Sequence, residues 1–245
     1  MRQRLRVVTW NVGRLYSPRH NNRLDDGDVP SVAAVLGELD PDVVLLQELV
    51  DARQLDEIVT RLARARAPFA GALAQRCVYD RRAAVLVKRE HGPAFEEHAL
   101  GPSGRAAVLA SFDAGDGVRG AAISAHFDVF ASDRRADQAE ALALVAEARG
   151  EPLVVAGGDF NLDPAWAAGT DNRRDVQSFQ RLTRALVDAG REAGATLFGV
   201  WRVDHLLVRG AARSLARVSP RRLPLGDHRP LVLDVDLDPD VASSG

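Results

Sequence analysis

Apolar and polar positions along the chain follow two periods. Short β-branched runs read as strands: "LRVVTW" from Leu5, "DVVLLQ" from Asp42, "AAVLVK" from Ala83, "AAVLASF" from Ala106, "RGAAISA" from Arg119, "PLVVAG" from Pro152, "VDHLLVR" from Val203 and "PLVLDVDL" from Pro230. Longer amphipathic stretches predict helices near Val32 to Leu39, Asp51 to Arg66, Asp133 to Arg149 and Asp175 to Ala189. A Pro-Ser pair opens the first, and Ser132 is the N-cap expected for the third. These helices are too few for strict βαβ alternation. Between Ala83 and Ala125 consecutive strands are joined by Gly- and Asp-containing turns such as "DAGDGVRG", which predicts antiparallel hairpins. The expectation is an α/β fold with mixed sheets, two of them packed face to face with helices outside.

No Gly-, Ser- or Pro-rich linker divides the 245 residues, and no internal repeat interrupts them. One domain over 1–245 is expected, with a core from about residue 5 to 237. The formal net charge of −2 excludes a generally basic protein that holds polyanions by bulk attraction, so any phosphate chemistry must be local. Cys77 is alone, which rules out an intrachain disulfide, and a small buried side chain is its expected role. The apolar run in "MRQRLRVVTWN" is too short for a signal-peptide core or a membrane span. A cytoplasmic monomer without membrane association is the expectation.

Chemistry-bearing side chains recur where the predicted strands end. Asn11 ends the first, Glu48 the second, His126 the hairpin region, and Asp159 and Asn161 follow "LVVAGG". Asp204 begins another strand, and Asp227-His228 precedes the last. Strand alternation places Val44, Leu46 and Glu48 on one face, and Val155, Gly157, Asp159 and, if extended geometry continues, Asn161 on another. One acid after a strand is usually a cap or a solvated residue. Together, hard oxygen ligands, amides and two histidines without a cysteine cluster favour magnesium or manganese over structural zinc.

The segments "TWNVGRL", "LDPDVVLLQEL", "SAHFDV", "GGDFNLDP", "RVDHLLV" and "GDHRPLVLDV" resemble, in their usual order, the motifs of the endonuclease/exonuclease/phosphatase superfamily, the deoxyribonuclease I-like fold. The resemblance covers the chain from Val7 to Leu237. It implies a four-layer α/β/β/α sandwich and a metal-dependent phosphoric ester hydrolase using Mg²⁺, with Mn²⁺ as a substitute. It implies Glu48 as the main metal ligand, with Asn11 as a ligand or phosphate contact and Asp227 as a further ligand. It implies that Asp159 orients or deprotonates the attacking water, that Asn161 helps to hold it or the phosphoryl oxygens, that His228 meets the scissile phosphate, that Asp204 orients His228, and that His126 contacts the phosphate or assists the leaving group. Some nuclease members carry an acid two residues after the first-strand asparagine, where this chain has Gly13, so a single-metal site is expected.

The resemblance fixes the reaction class more tightly than the substrate. An intracellular nuclease acting on DNA or RNA is the leading reading, and a small-molecule or lipid-headgroup phosphoesterase is the alternative; a non-catalytic binding protein would be expected to have lost some of these residues. Arg135 and Gln138 resemble a pair that supports the loop after His126, and Arg135, Arg221 and Arg222 are candidate contacts for substrate phosphates. The polar loop from Arg14 to Val29 is either a binding loop or a solvated connection. His205 should face away from Asp204 and pack in the core.

Overall fold

The structure is a computed structural model that describes residues 4–13, 24–65, 68–210, 213–221, 223 and 226–237. Within them lie two six-stranded mixed sheets. The first runs β11 (Arg213–Val218), β12 (Leu231–Asp236), β1 (Arg4–Asn11), β2 (Val43–Leu49), β4 (Arg82–Lys88), β3 (Phe69–Leu73). The second runs β5 (Ala94–Ala99), β6 (Ala106–Gly115), β7 (Val118–His126), β8 (Leu153–Asp159), β10 (Asp204–Arg209), β9 (Val187–Asp188). Each sheet holds one parallel pair, β1 with β2 and β7 with β8, joined through α1 (Val29–Leu39) and α3 (Ser132–Glu147) respectively. The other pairings are antiparallel.

Alternation along each strand divides the core into three apolar layers. Val7, Val43, Leu45, Val85, Val108, Val155 and Leu206 meet between the sheets. Val8, Trp10, Val44 and Leu46 pack outward under α1 and α2 (Ala52–Ala65). Ala107, Ile123, Val154 and Leu207 pack outward beneath α3, with Leu182 of α5 (Arg173–Ala185) in the same cluster. This is the α/β/β/α sandwich, and no helix among the described residues is long and apolar enough to cross a membrane.

Local chemistry corrects several expectations. Ser132 is the first residue of α3, not its cap; the Asp128 carboxylate instead accepts the N–H groups of Phe130 (2.9 Å) and Ala131 (2.8 Å) just before the helix. The β6–β7 hairpin forms as expected, turning on Asp116 and Gly117, both at positive φ. However, β4 and β6 do not pair, because the chain passes from one sheet to the other between them. α5 ends at Ala185 rather than Ala189, leaving Val187–Asp188 to join the sheet, and an additional short helix, α4 (Pro164–Gly169), is capped by the Asp163 carboxylate. Of the Arg14–Val29 loop, residues 14–23 lie outside the described residues.

Candidate active site

The strand register assembles the site. His126 pairs with Asp159 across β7–β8, and Asp159 pairs with Asp204 across β8–β10, so three candidate residues form one row. In the facing sheet Asn11 ends β1 beside Gln47 of the parallel β2. Asn11, His126, Asp159 and Asp204 each continue the row of their strand that points between the sheets, so the apolar interior gives way to polar groups at one end of the sandwich.

Glu48 reaches that place by another route. Its alternation would carry it outward with Val44 and Leu46, under the helices. Instead, three steps along β2, from Leu46 to Leu49, match two along β4, from Ala84 to Arg82, and Glu48 adopts φ 69°. A bulge with one residue in the left-handed region re-aims a side chain at a cost in backbone strain. Gln47 turns between the sheets, donating to Thr9 Oγ1 (3.3 Å) and Ser124 Oγ (3.1 Å). The expectation that Glu48 shares a face with Val44 and Leu46 is therefore corrected, and Asn161 likewise leaves the row of Asp159, since the strand ends at Asp159 and Asn161 has φ 48°.

The result is an open pocket of about 210 Å³ lined by Asn11, Glu48, His126, Asp159, Asn161, Asp227 and His228, with Arg81 and the apolar Val129, Leu197 and Phe198. Its polar side chains form a chain of neighbours. Arg81 Nη1 lies 3.5 Å from Glu48 Oε1, and His126 Nε2 lies 3.8 Å from the same oxygen. His126 Nε2 is 3.6 Å and His228 Nε2 3.7 Å from Asp159 Oδ2, and His228 Nδ1 is 2.7 Å from Asp204 Oδ2. Asn11 Nδ2 donates to Asp159 Oδ2 (2.9 Å), and the Gly13 N–H fixes the amide by donating to Asn11 Oδ1 (2.9 Å). Gly13 thus supplies a backbone donor that sets the direction of the Asn11 amide. The Asn161 N–H holds Asp159 Oδ1 (2.9 Å), and its side chain donates to Phe127 O (3.1 Å). Trp10, buried in the first sheet, donates to the His228 carbonyl (3.3 Å).

Burial sets the charges. Desolvation pushes the Glu48 carboxyl up to about 7, against the pull of Arg81, and raises Asp159 and Asp227 as well. For His228, desolvation opposes the charged form but is outweighed by Asp204 and Asp159, which carry it to about 10. The imidazolium is the form at neutral pH. His126 is driven the other way by burial and by Arg105, Arg81 and His228, well below the usual histidine range, and is neutral.

The donor set suits a divalent cation. Asp159, Asp204 and His228 offer ligand atoms within 4.8 Å of one another. Within that group the Asp204 Oδ2 and His228 Nδ1 atoms already engage each other at 2.7 Å, while Asp204 Oδ1 is buried without a hydrogen-bond partner. Glu48, Asn11 and Asp227 line the same pocket, and the elevated carboxyls are groups for which a cation restores lost hydration.

The candidate arginines fare differently. Arg135 is buried, with Nε and Nη2 on Asp175 (2.9 and 2.6 Å) and Nη1 on the carbonyls of Asp128 and Val129 (both 3.1 Å). It braces the loop after His126 and does not line the pocket, and Gln138 assists by accepting the Asp128 N–H (2.7 Å). Arg221 is exposed, pairs with Glu38 of α1 (2.8 Å) and does not line the pocket. Arg222 lies outside the described residues. Arg81 and Arg105, the latter buried and donating to the His126 carbonyl (3.3 Å), are not among the residues that the sequence motifs single out. The available signal for Arg81 is its place just before the strand that pairs with β2. His205 packs as expected, stacked on Phe160 and bonded to Leu162 O (2.8 Å).

Solved structures share this architecture. An endonuclease/exonuclease/phosphatase from Bacteroides vulgatus aligns over 96% of this chain and 99% of its own with a TM-score of 0.74 at 20% identity. Truncated Caenorhabditis elegans TDP2 aligns over 95% and 98% with a TM-score of 0.71 at 16% identity, and D. rerio TDP2 humanized by 14 mutations over 96% and 99% with 0.73 at 16%. No curated protein matches the sequence. The family model matches residues 8–228, a span that takes in strands of both sheets and every residue lining the pocket, and on that match the chain belongs to the endonuclease/exonuclease/phosphatase family.

Proposed function

We propose that this protein is a Mg²⁺-dependent phosphodiesterase that hydrolyses nucleic acid through a directly attacking water. The observation that carries the reading is the run of alternating groups along the pocket, from Arg81 through Glu48, His126, Asp159 and His228 to Asp204. Such an array offers a base, an N–H donor and a fixed cation within reach of one phosphorus centre.

Glu48, with Asn11 and Asp227, would hold the cation, which when bound supplies positive charge to the phosphate and its leaving oxygen. Asp159 accepts the proton of the water. Both its oxygens are oriented by Asn11 and Asn161, and its raised carboxyl is a better base than an exposed aspartate. As the new P–O bond forms and the opposite one breaks, His228 stays protonated beside Asp204 and neutralises a non-bridging oxygen. His126, neutral, donates a hydrogen bond where Arg81 and Arg105 disfavour a second imidazolium. No covalent intermediate is needed.

The pocket rim supports nucleic acid over a compact phosphate ester. Val129 and Phe198 line the pocket and are exposed, as are Phe130, next to Val129 in the chain, and Trp201, whose ring makes a T-shaped pair with Phe198 at 6.1 Å. Exposed aromatic faces beside a phosphate site suit the flat faces of bases. The test is supercoiled plasmid incubated with Mg²⁺, beside an EDTA control and His228→Ala. Nicking that requires both metal and His228 is expected. An intact plasmid together with metal-dependent hydrolysis of a small phosphoester would overturn the nucleic-acid reading and leave the hydrolase.

A further inference from the structure

The pocket presents three carboxylates, Glu48, Asp159 and Asp227, and a single arginine, Arg81, among its described lining. A diester anion approaching this wall is repelled unless positive groups meet it. His228 provides one at the Asp204 end of the pocket, and Arg81 stands at the other end, beside Glu48.

Arg81 is also held in place. It closes a tight turn in which its N–H donates to Val78 O (3.2 Å), with Tyr79 and Asp80 at φ 56° and 52°. Two consecutive positive-φ residues give the narrow turn that joins paired strands, so the position is fixed by backbone. The neighbouring Arg82 is engaged elsewhere, since its Nε donates to Val50 O (3.0 Å) and its Nη1 to Ala74 O (3.0 Å) and Gln75 O (2.7 Å). Of the Arg81-Arg82 pair, one guanidinium ties backbone and the other faces the site.

We propose that Arg81 binds a non-bridging oxygen of the substrate phosphate, and that because it shares Glu48 with the divalent cation, cation and phosphate bind cooperatively. This rests on the hydrolase reading above. A cation on Glu48 lies near a guanidinium that itself approaches that carboxylate at 3.5 Å, and the two positive charges repel. A phosphate oxygen taken by both relieves the repulsion. Linkage then requires each ligand to tighten the other by the same factor. Arginine suits this role, since its planar fork bonds a carboxylate or phosphate through two N–H groups at once.

The test is calorimetric titration of Mg²⁺ into the whole protein with and without inorganic phosphate, for wild type, R81Q and R81K, corrected for the Mg²⁺–phosphate complex formed in solution. In wild type, phosphate should tighten Mg²⁺ binding about tenfold. R81Q should bind Mg²⁺ alone more tightly than wild type and retain less than about twofold coupling. Full coupling in R81Q, or Mg²⁺ affinity weaker than wild type, overturns the assignment. Should R81Q fail to fold, R81K decides, and a folded R81K with the wild-type coupling counts against the guanidinium contact. A wild-type protein that binds neither probe overturns the hydrolase reading and this inference together; one that binds both without coupling overturns only the inference.

Discussion

His228 Nδ1 lies 2.7 Å from Asp204 Oδ2, and both side chains are buried. Their pairing fixes the ring's orientation and keeps it charged, since against the desolvation that opposes the imidazolium Asp204 is the largest favourable influence. Asp204→Asn keeps the shape and removes the charge. Turnover should fall by about 10²- to 10⁴-fold, with KM within about threefold of wild type, because in the proposed mechanism the loss is of charge that meets the phosphate in the transition state. Steady-state kinetics on the cleaved substrate checks this, and an unchanged kcat would assign Asp204 to scaffolding alone.

Glu48 sits on a strained backbone, at φ 69° within the β2 bulge. Replacing the side chain separates strain from chemistry. Glu48→Gly and Glu48→Ala should both lose metal-dependent cleavage, but the glycine variant should be about 1 kcal/mol more stable than the alanine one, because only glycine is at ease in that region. Urea denaturation of the two variants measures the difference. Equal stabilities would mean that the bulge imposes no cost on Glu48.

The two glycines before Asp159 have unequal tolerance. A Cβ on Gly158, at φ 146°, would lie 1.8 Å from Ala125 O, which is backbone of the paired strand and cannot yield without parting β7 from β8. On Gly157 the tightest contact is Leu206 Cδ2 at 2.7 Å, the end of a side chain that can rotate, followed by His205 O at 2.9 Å. Gly158→Ala should therefore cost about 4 kcal/mol or more, and Gly157→Ala roughly 1–3 kcal/mol. Thermal melts of both variants would reverse this account if Gly157→Ala proved the worse.

Arg135 is a candidate phosphate contact by sequence, and the structure makes it a brace. Its guanidinium forms a buried two-point pair with Asp175, a geometry in which removing one partner leaves the other charge stranded. Arg135→Ala should cost about 3–5 kcal/mol in denaturant unfolding, where an exposed phosphate contact would cost almost nothing. Unchanged stability combined with weaker substrate binding would return Arg135 to the site.

What the sequence conveyed follows from where apolar contrast is strong. All eight strands read from it are inner strands of the two sheets, buried on both faces and therefore written in Val, Leu, Ile and Ala. The strands it did not convey, β3, β5, β9 and β11, are the four edges. β5 reads "AFEEHA" and β11 "RSLARV", with charged side chains that keep an edge from pairing with another chain and also erase the apolar run. The site divides in the same way. Asn11, His126, Asp159 and Asp204 obey strand alternation, so their meeting could be inferred. Glu48 departs from it through a bulge, and Arg81 is delivered by a turn, features that periodicity does not encode.

Asp42, far from the pocket at the start of β2, should govern part of the acid stability. Its Oδ2 accepts the Arg6 N–H (2.8 Å), its Oδ1 accepts from Lys88 Nζ (2.8 Å), and His91 Nε2 lies 3.9 Å away. Partial burial works against the charged form, but the nearby His91 ring and the bonds from Lys88 and Arg6 outweigh it and lower the carboxyl from 3.8 to about 2. A group depressed in the folded state stabilises fully above its unfolded pKa and loses that contribution as pH falls through the folded one. Asp42→Asn should therefore cost about 2 kcal/mol at pH 7, with about half of the difference gone by pH 3. Urea midpoints for wild type and variant at both pH values test it. A gap that stays constant from pH 7 to 3 would show that Asp42 acts through its shape and hydrogen bonds rather than its charge.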